Sequence, residues 1–261
     1  MLVHFIDSKP FQCGYLNDQQ SFFEEYILED VSEQEFDYLL AHGMRHFGDY
    51  FFRPRCVGCH ACVPIRVRPE EFRISRGQKR VLGACRSVRV KVGAPRFTEE
   101  KFRLYLKHKK RFPSLQQDVE DLENFKLSFY DESSFGIEFE YYDGRKLIGA
   151  ALADFTKQAL SAVYTFYDAL DSRMSLGTFS ILKQLEFSKE RGVKYFYLGY
   201  FMLRNQSLRY KAAFKPNEVY IGGKWIPYRI PKLGALIPEE MLQWKNAESL
   251  VKEVSPLEKR A

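Results

Sequence analysis

The chain has 261 residues, 45% of them hydrophobic and 16% aromatic, with 40 Lys and Arg against 34 Asp and Glu. That is enough apolar material to bury one sizeable core or two modest ones, and it excludes a disordered or low-complexity polymer. No eighteen-residue apolar run and no basic-then-apolar leader are present, so the sequence is expected to be soluble and cytoplasmic, without a membrane partner.

Charge is segregated along the chain. Residues 1 to 52 hold ten carboxylates against Lys9 and Arg45, whereas Arg53 to Arg96 hold twelve basic residues and two acidic ones, a net +10. Clustered Lys and Arg of this density suit a polyanionic partner such as RNA, because phosphate neutralisation supplies affinity that does not depend on sequence.

In chain order, Ser32 to Glu35 forms a capping box before Phe36, Leu39 and Leu40, and Gly43 ends the short helix that the pattern predicts. Cys56, Cys59 and Cys62 are separated by two-residue gaps, with His60 among them and Cys13 as a distant fourth thiol. That spacing suits a structural zinc ion or an iron-sulfur cluster. Cys85, alone in a basic stretch that reads as strand-like, is expected to be an ordinary small apolar residue. Residues 73 to 80 pack four cations, a hydroxyl and an amide into eight positions, a donor density suited to phosphate and ribose. Thr98 opens a helix that is acidic at its start and basic at 107 to 111, and a further helix is expected over 114 to 125.

The remainder alternates clearly. Strands are expected over 136 to 142, 147 to 155 and 160 to 167, the first two joined by a turn at Asp143 and Gly144. A helix over 176 to 191, stopped by Gly192, and a strand over 194 to 199 follow. This order predicts an α/β (α+β) domain at 96 to 261 with an acetyltransferase-like (GNAT-type) mixed sheet, behind a smaller cysteine-rich, basic N-terminal domain at 1 to 95. Ser175, Leu176 and Gly177 fall at the start of the main helix, where backbone N–H groups can face an anion. One glycine there, where a pyrophosphate loop usually shows more, favours a phosphate-bearing acyl donor other than coenzyme A. Tyr164, Phe166 and Tyr200, at strand ends, are candidates to stack on a terminal adenine.

Several stretches together resemble the aminoacyl-tRNA:protein transferases, in particular the bacterial aspartate/glutamate leucyltransferase branch, related to arginyl-tRNA:protein transferase. They are CGYL at 13 to 16, FFRPRCVGCHACVPIRV at 51 to 67, FRISRGQKR at 72 to 80 and LSAVYTFYD at 160 to 168, followed by SLGT at 175 to 178, KYFYLGY at 194 to 200 and YKAAFKPNEVYIGGKW at 210 to 225. The chain departs from the family pattern in three places. Met44-Arg45-His46-Phe47-Gly48 stands where the family reads Phe-Arg-Arg-Ser-Gly, Leu16 stands where the eukaryotic branch has a second cysteine, and Cys85 falls where the family has none.

The resemblance implies transfer of leucine, next arginine, from charged tRNA to proteins beginning with Asp or Glu, which marks them for degradation by the N-degron pathway. It implies a reaction that needs no cofactor for its chemistry and no nucleophilic side chain. It places Tyr164, Asp168 and Tyr200 at the reacting amine and aminoacyl end, with Asp168 as proton acceptor. Substrate binding is assigned to Arg45, Arg53, Arg66, Ser75, Arg76, Gln78, Arg80, Phe166, Ser175, Leu176, Gly177, Tyr197, Tyr210 and Lys211. Cys13, Cys56, Cys59 and Cys62 would be the ligands of any metal. Two further readings stand beside this one: an acetyl-CoA-dependent N-acetyltransferase, and a non-catalytic zinc-dependent RNA-binding protein.

Overall fold

The structure is a computed structural model, described over residues 1–111, 121–130, 135–168 and 174–228. The chain divides into two compact units. One is built from Met1–Val67 with Leu198–Ala261, and the other from Arg68–Tyr197.

The first unit opens with β1 (Leu2–Phe5), β2 (Phe11–Gln12), β3 (Gln20–Ser21) and β4 (Phe23–Glu29), followed by α1 (Glu33–Ala41). Next come β5 (Arg45–Phe47), β6 (Tyr50–Pro54) and β7 (Val63–Val67). Ser32 and Glu35 form the expected capping box on α1, and Gly43 takes φ +82° just past its end. Four strands make an antiparallel sheet in the order β1-β4-β6-β5. Alternation sends Tyr26, Leu28, Phe51 and Arg53 to one buried side, where Phe51 and His46 meet the ring of Phe36 from α1.

The second unit contains α2 (Arg76–Ala84), β8 (Val88–Gly93), α3 (Glu99–Lys109), α4 (Leu122–Phe129), β9 (Gly136–Asp143), β10 (Lys146–Phe155), β11 (Ala159–Tyr167) and α5 (Leu176–Glu190). Its strands follow one another as β8-β9-β10-β11, then β12 (Tyr195–Phe201), which leads the chain back to the first unit. β11 and β12 are parallel, with Ala159 to Ser161 opposite Tyr195 to Tyr197. A strand, a crossover helix and a parallel strand are the arrangement expected of an acetyltransferase-like mixed sheet.

α5 covers one face of this sheet. Phe179 and Phe187 lie edge-on to Tyr141 and Phe139, and the Tyr141 hydroxyl donates to Ser180 Oγ at 2.9 Å. On the opposite face Leu104 of α3 and Phe125 of α4 pack on Ala150, Leu152 and Phe166. Lys101 is buried there with its Nζ 2.6 Å from Glu138 and 2.8 Å from Glu140. Of the helix expected over 114 to 125, residues 114–120 lie outside the described residues, and the described helix begins after its cap Asp121, which accepts from Glu123 N and Asn124 N.

The chain then completes the first unit with α6 (Gln206–Arg209), a 3₁₀ turn (Tyr210–Ala213), β13 (Asn217–Ile221) and β14 (Lys224–Pro227). β13 pairs antiparallel with both β7 and β14. Trp225 Nε1 donates to Ala41 O at 2.8 Å, so the end of the described chain secures the end of α1.

Candidate active site

In the first unit, the end of β12, the start of β5 and the 3₁₀ turn bring together Gly199, Tyr200, Arg45 and Lys211. Gly199 has φ +82°, a conformation that favours glycine. A side chain there would begin 3.4 Å from Lys211 Nζ and 3.8 Å from both Nε and Nη2 of Arg45. Lys211 Nζ donates to Tyr200 O at 3.1 Å. Two cationic heads therefore border one small space that glycine leaves open. Burial, reinforced by the Arg45 charge, pulls the Lys211 amine down to about 7. An amine so poised is partly neutral at physiological pH and can accept a proton, while the Arg45 guanidinium stays charged.

Tyr200 sits beside this space, but its hydroxyl donates to Gly43 O at 3.0 Å and Phe52 O at 3.4 Å. Burial holds that phenol well above its usual range. That hydroxyl ties β12 to the loop after α1, while the Tyr200 ring stays beside the Gly199 space.

The cysteine loop borders the same group. Burial raises the Cys62 thiol to about 12, the neighbouring thiols adding to it and Lys211 opposing it, and burial also raises Cys56. Tyr15, whose hydroxyl end lies among Cys62 and Cys13, is raised to about 12 by burial first and the thiols second. Cys56 Sγ is occupied with the backbone, accepting from Phe22 N at 3.4 Å and donating to Phe22 O at 3.6 Å. Cys13, Cys56, Cys59 and Cys62 thus gather in one place. Yet among the described residues no three His, Cys, Asp or Glu side chains are placed to hold a metal ion, so the cysteines do not show the convergent geometry expected from their spacing.

Other basic residues expected to meet substrate are neutralised within the unit. Arg53 is 1% exposed and donates through Nε to Glu24 at 2.6 Å, and Arg55 reaches the same carboxylate at 2.7 Å. Burial alone would raise the Glu24 carboxyl, but the two arginines and Tyr26 bring it below its ordinary range. Arg66 donates to Glu218 at 2.6 Å and lies 4.2 Å over the Trp225 ring. Both arginines hold strands together, and neither presents a head to a ligand. Tyr210 is partly exposed and lies 6.4 Å from Phe214.

In the second unit, Ser75 and Gln78 form a reciprocal cap. Ser75 N donates to Gln78 Oε1 at 2.8 Å, and Gln78 N donates to Ser75 Oγ at 3.2 Å. Gln78 is 5% exposed, so these two residues shape the start of α2 rather than face a ribose. What they start is a helix with Arg76, Lys79 and Arg80 exposed, flanked by exposed Arg73 and Arg86. Spacing of three and four places those cations along one side of the helix, the form a phosphate-contacting surface takes. Cys85 closes this helix instead of lying in a strand, and its Sγ donates to Met174 O at 3.0 Å.

Asp168 is held by two lysines, with Oδ2 2.9 Å from Lys107 Nζ and 3.4 Å from Lys146 Nζ. The expected proton acceptor is therefore a buried ion-pair partner. Phe166 has no exposed surface on which a base could stack. Tyr164 packs on Phe129 at 5.2 Å and Tyr105 at 5.9 Å, and Tyr197 is 5% exposed in β12. Ser175 precedes α5 at φ 45° without a side-chain cap, Leu176 is buried behind it, and Gly177 is half-buried. Arg173 lies outside the described residues.

Gly199 and Tyr15 complete the group, and Tyr15 carries no local signal in the sequence. A glycine inside KYFYLGY announces a bulge or a close approach, which is the signal that points to Gly199.

Profiles described as Arginine-tRNA-protein transferase, N terminus, and Arginine-tRNA-protein transferase, C terminus, match residues 11–80 and 100–221. Relatives named aspartate/glutamate leucyltransferase are similar over most of the chain. That of Helicobacter hepaticus is 34% identical over 226 residues, covering 84% of this chain and 92% of the relative. That of Campylobacter jejuni is 34% identical over 221 residues, with 82% and 91% covered. That of Saccharophagus degradans is 32% identical over 226 residues, with 84% and 94% covered. Among solved structures, L-PGS from Bacillus licheniformis is similar with a TM-score of 0.42 at 15% identity, over 57% of this chain and 49% of that one.

Proposed function

The chain belongs to the arginine-tRNA-protein transferase family, and on that premise we propose that it moves leucine from leucyl-tRNA to the α-amine of proteins beginning with Asp or Glu. The amine attacks the ester carbonyl, a peptide bond forms, and the tRNA leaves with its terminal ribose hydroxyl. Aminolysis of an activated ester is downhill, so positioning, proton collection and oxyanion stabilisation make up the enzyme's share.

The observation that carries this reading is the pair of cations around Gly199. Arg45 offers the fork geometry that grips a carboxylate in two bonds, which suits the acidic side chain of the acceptor. Lys211, with its amine near neutrality, is the group suited to collect the proton of the attacking amine, a role for which Asp168 is the weaker base because Lys107 and Lys146 stabilise its charged form. Arg76, Lys79 and Arg80 on α2 suit the phosphates of the tRNA. Leucine is preferred to arginine as the donated residue because the similar curated proteins are named for leucine. The four cysteines supply the soft donors that a structural zinc ion or an iron-sulfur cluster would take, but their arrangement does not fit coordination and no step runs through a metal. Charged tRNA places the reaction in the cytoplasm, and a leucine newly exposed at a protein's N terminus is the mark an N-degron pathway reads.

Purified full chain, given leucyl-tRNA and a peptide beginning with Asp, is expected to yield the leucine-extended peptide by mass spectrometry. Absence of product with both leucyl- and arginyl-tRNA overturns the proposal.

A further inference from the structure

The side of the first sheet that faces away from α1 is aromatic. Register places Arg45 and Phe52 opposite one another on β5 and β6, with Phe47 opposite Tyr50, and sets Phe23 and Ile27 on the same side of β4. Phe23, Phe47, Tyr50 and Phe52 are all half-buried there. Their rings are close to parallel. Phe23, Phe47 and Tyr50 lie 5.5, 5.6 and 5.4 Å from Phe52, with interplanar angles of 27°, 22° and 20°. Phe11, 47% exposed, extends the strip at 5.3 Å from Phe23. The Tyr200 ring also stands 6.5 Å from Phe52, and Tyr200 follows Gly199, the residue bordered by the Arg45 and Lys211 heads. Glu25, on the same side, accepts from the hydroxyls of Tyr50 and Ser8.

These partly exposed rings gather around Phe52, which lies opposite Arg45, so the cluster adjoins the pocket assigned to the acceptor's first side chain. We propose that the strip receives the polypeptide that follows that first residue, and that it favours apolar or aromatic side chains at the second to fourth positions of the acceptor. The inference rests on the acceptor reading given above. Extended peptide advances about 3.3 Å per residue, so a few residues beyond an acidic side chain at Arg45 run along the rings. Rings of this kind also stack on bases, so the test distinguishes a peptide from a nucleotide as the occupant.

The test is direct binding of fluorescent peptides to the full chain without tRNA, followed by steady-state transfer. Peptides beginning Asp-Phe-Leu are expected to bind roughly fivefold to tenfold more tightly than those beginning Asp-Gly-Ser. Phe23→Ala and Phe47→Ala are expected to erase that difference and to leave the KM for leucyl-tRNA in place. Phe47→Leu, which keeps apolar bulk, is expected to retain part of it, and this separates lost contact from a misfolded sheet. Equal binding of the two peptides to the unaltered protein overturns the proposal. So does a rise in the KM for leucyl-tRNA in the alanine variants with the peptide preference intact, a result that assigns the strip to RNA. A preserved peptide preference without transfer from any charged tRNA supports the strip and instead faults the acyl-transfer reading.

Discussion

Lys211 and Arg45 form a like-charged pair bordering one small space, an arrangement that disfavours a second charge until an anion arrives. The amine of Lys211, at about 7 against an ordinary 10.5, is the group that titrates in the working range. Its useful form is neutral, so log kcat is expected to climb as pH rises toward about 7 and then to level. Lys211→Arg, which cannot lose its proton, is expected to lose about 100-fold in kcat and the inflection with it. A profile that keeps its inflection in that variant excludes Lys211 as proton acceptor. The sign for stability follows from the same shift. Between about 7 and 10.5 the unfolded chain binds a proton that the folded chain does not, so Lys211 makes stability rise with pH across that window, and the burden is full below about 7. Sequence exposes such residues unevenly. Arg45 and Lys211 are legible from the resemblance alone, while Arg53 and Arg66 read as phosphate contacts because their carboxylates, Glu24 and Glu218, lie 29 and 152 positions away. Nothing local in a sequence marks a partner at that distance.

Helices were the most readable elements, since their caps are written in adjacent residues. Ser32 with Glu35, and Thr98, begin helices in the structure as their patterns require. α2 shows the limit of that reading. Ser75 and Gln78 are a capping box concealed behind a high density of donors, and their side chains serve the helix while Arg76, Lys79 and Arg80 face outward. Removing those outward cations tests the surface they form. Arg76→Ala and Arg80→Ala are each expected to reduce the slope of log tRNA affinity against log salt by about 1, with no change in which acceptor peptides react. An unchanged slope removes α2 from the RNA contact. Strands were legible where alternation or β-branched runs are strong, as in β9 to β11. Cys85 was not, because a residue that ends a helix and buries its thiol carries no periodic signature.

Across the whole molecule, the segregation of charge seen along the chain is reworked by folding. Of the cations between Arg53 and Arg96, Arg53, Arg55, Arg66, Arg68 and Lys91 are taken up in ion pairs, and Arg89 lies over the Tyr142 ring. Of the exposed cations that remain, Arg73, Arg76, Lys79, Arg80 and Arg86 lie on or beside α2, and Arg96 stands apart from it. The first unit depends on both ends of the chain: Arg66 meets Glu218, Tyr200 reaches Gly43, and Trp225 reaches Ala41. Arg45 in an early strand and Lys211 in a late turn become neighbours by that closure, which is why the pocket is invisible to spacing. The order of strands and the main helix in the second unit was readable, because each element there is continuous and joins its neighbour in sequence.

Acceptor discrimination tests the central claim most directly. Peptides differing only in a first residue of Asp, Glu, Asn or Gln are offered together with leucyl-tRNA, and products are resolved by mass. Leucine-extended product is expected from the Asp and Glu peptides and from neither amide, because the proposal gives Arg45 a carboxylate to grip and leaves Lys211 to take the proton. Comparable yields from all four peptides would contradict the assignment of that pocket.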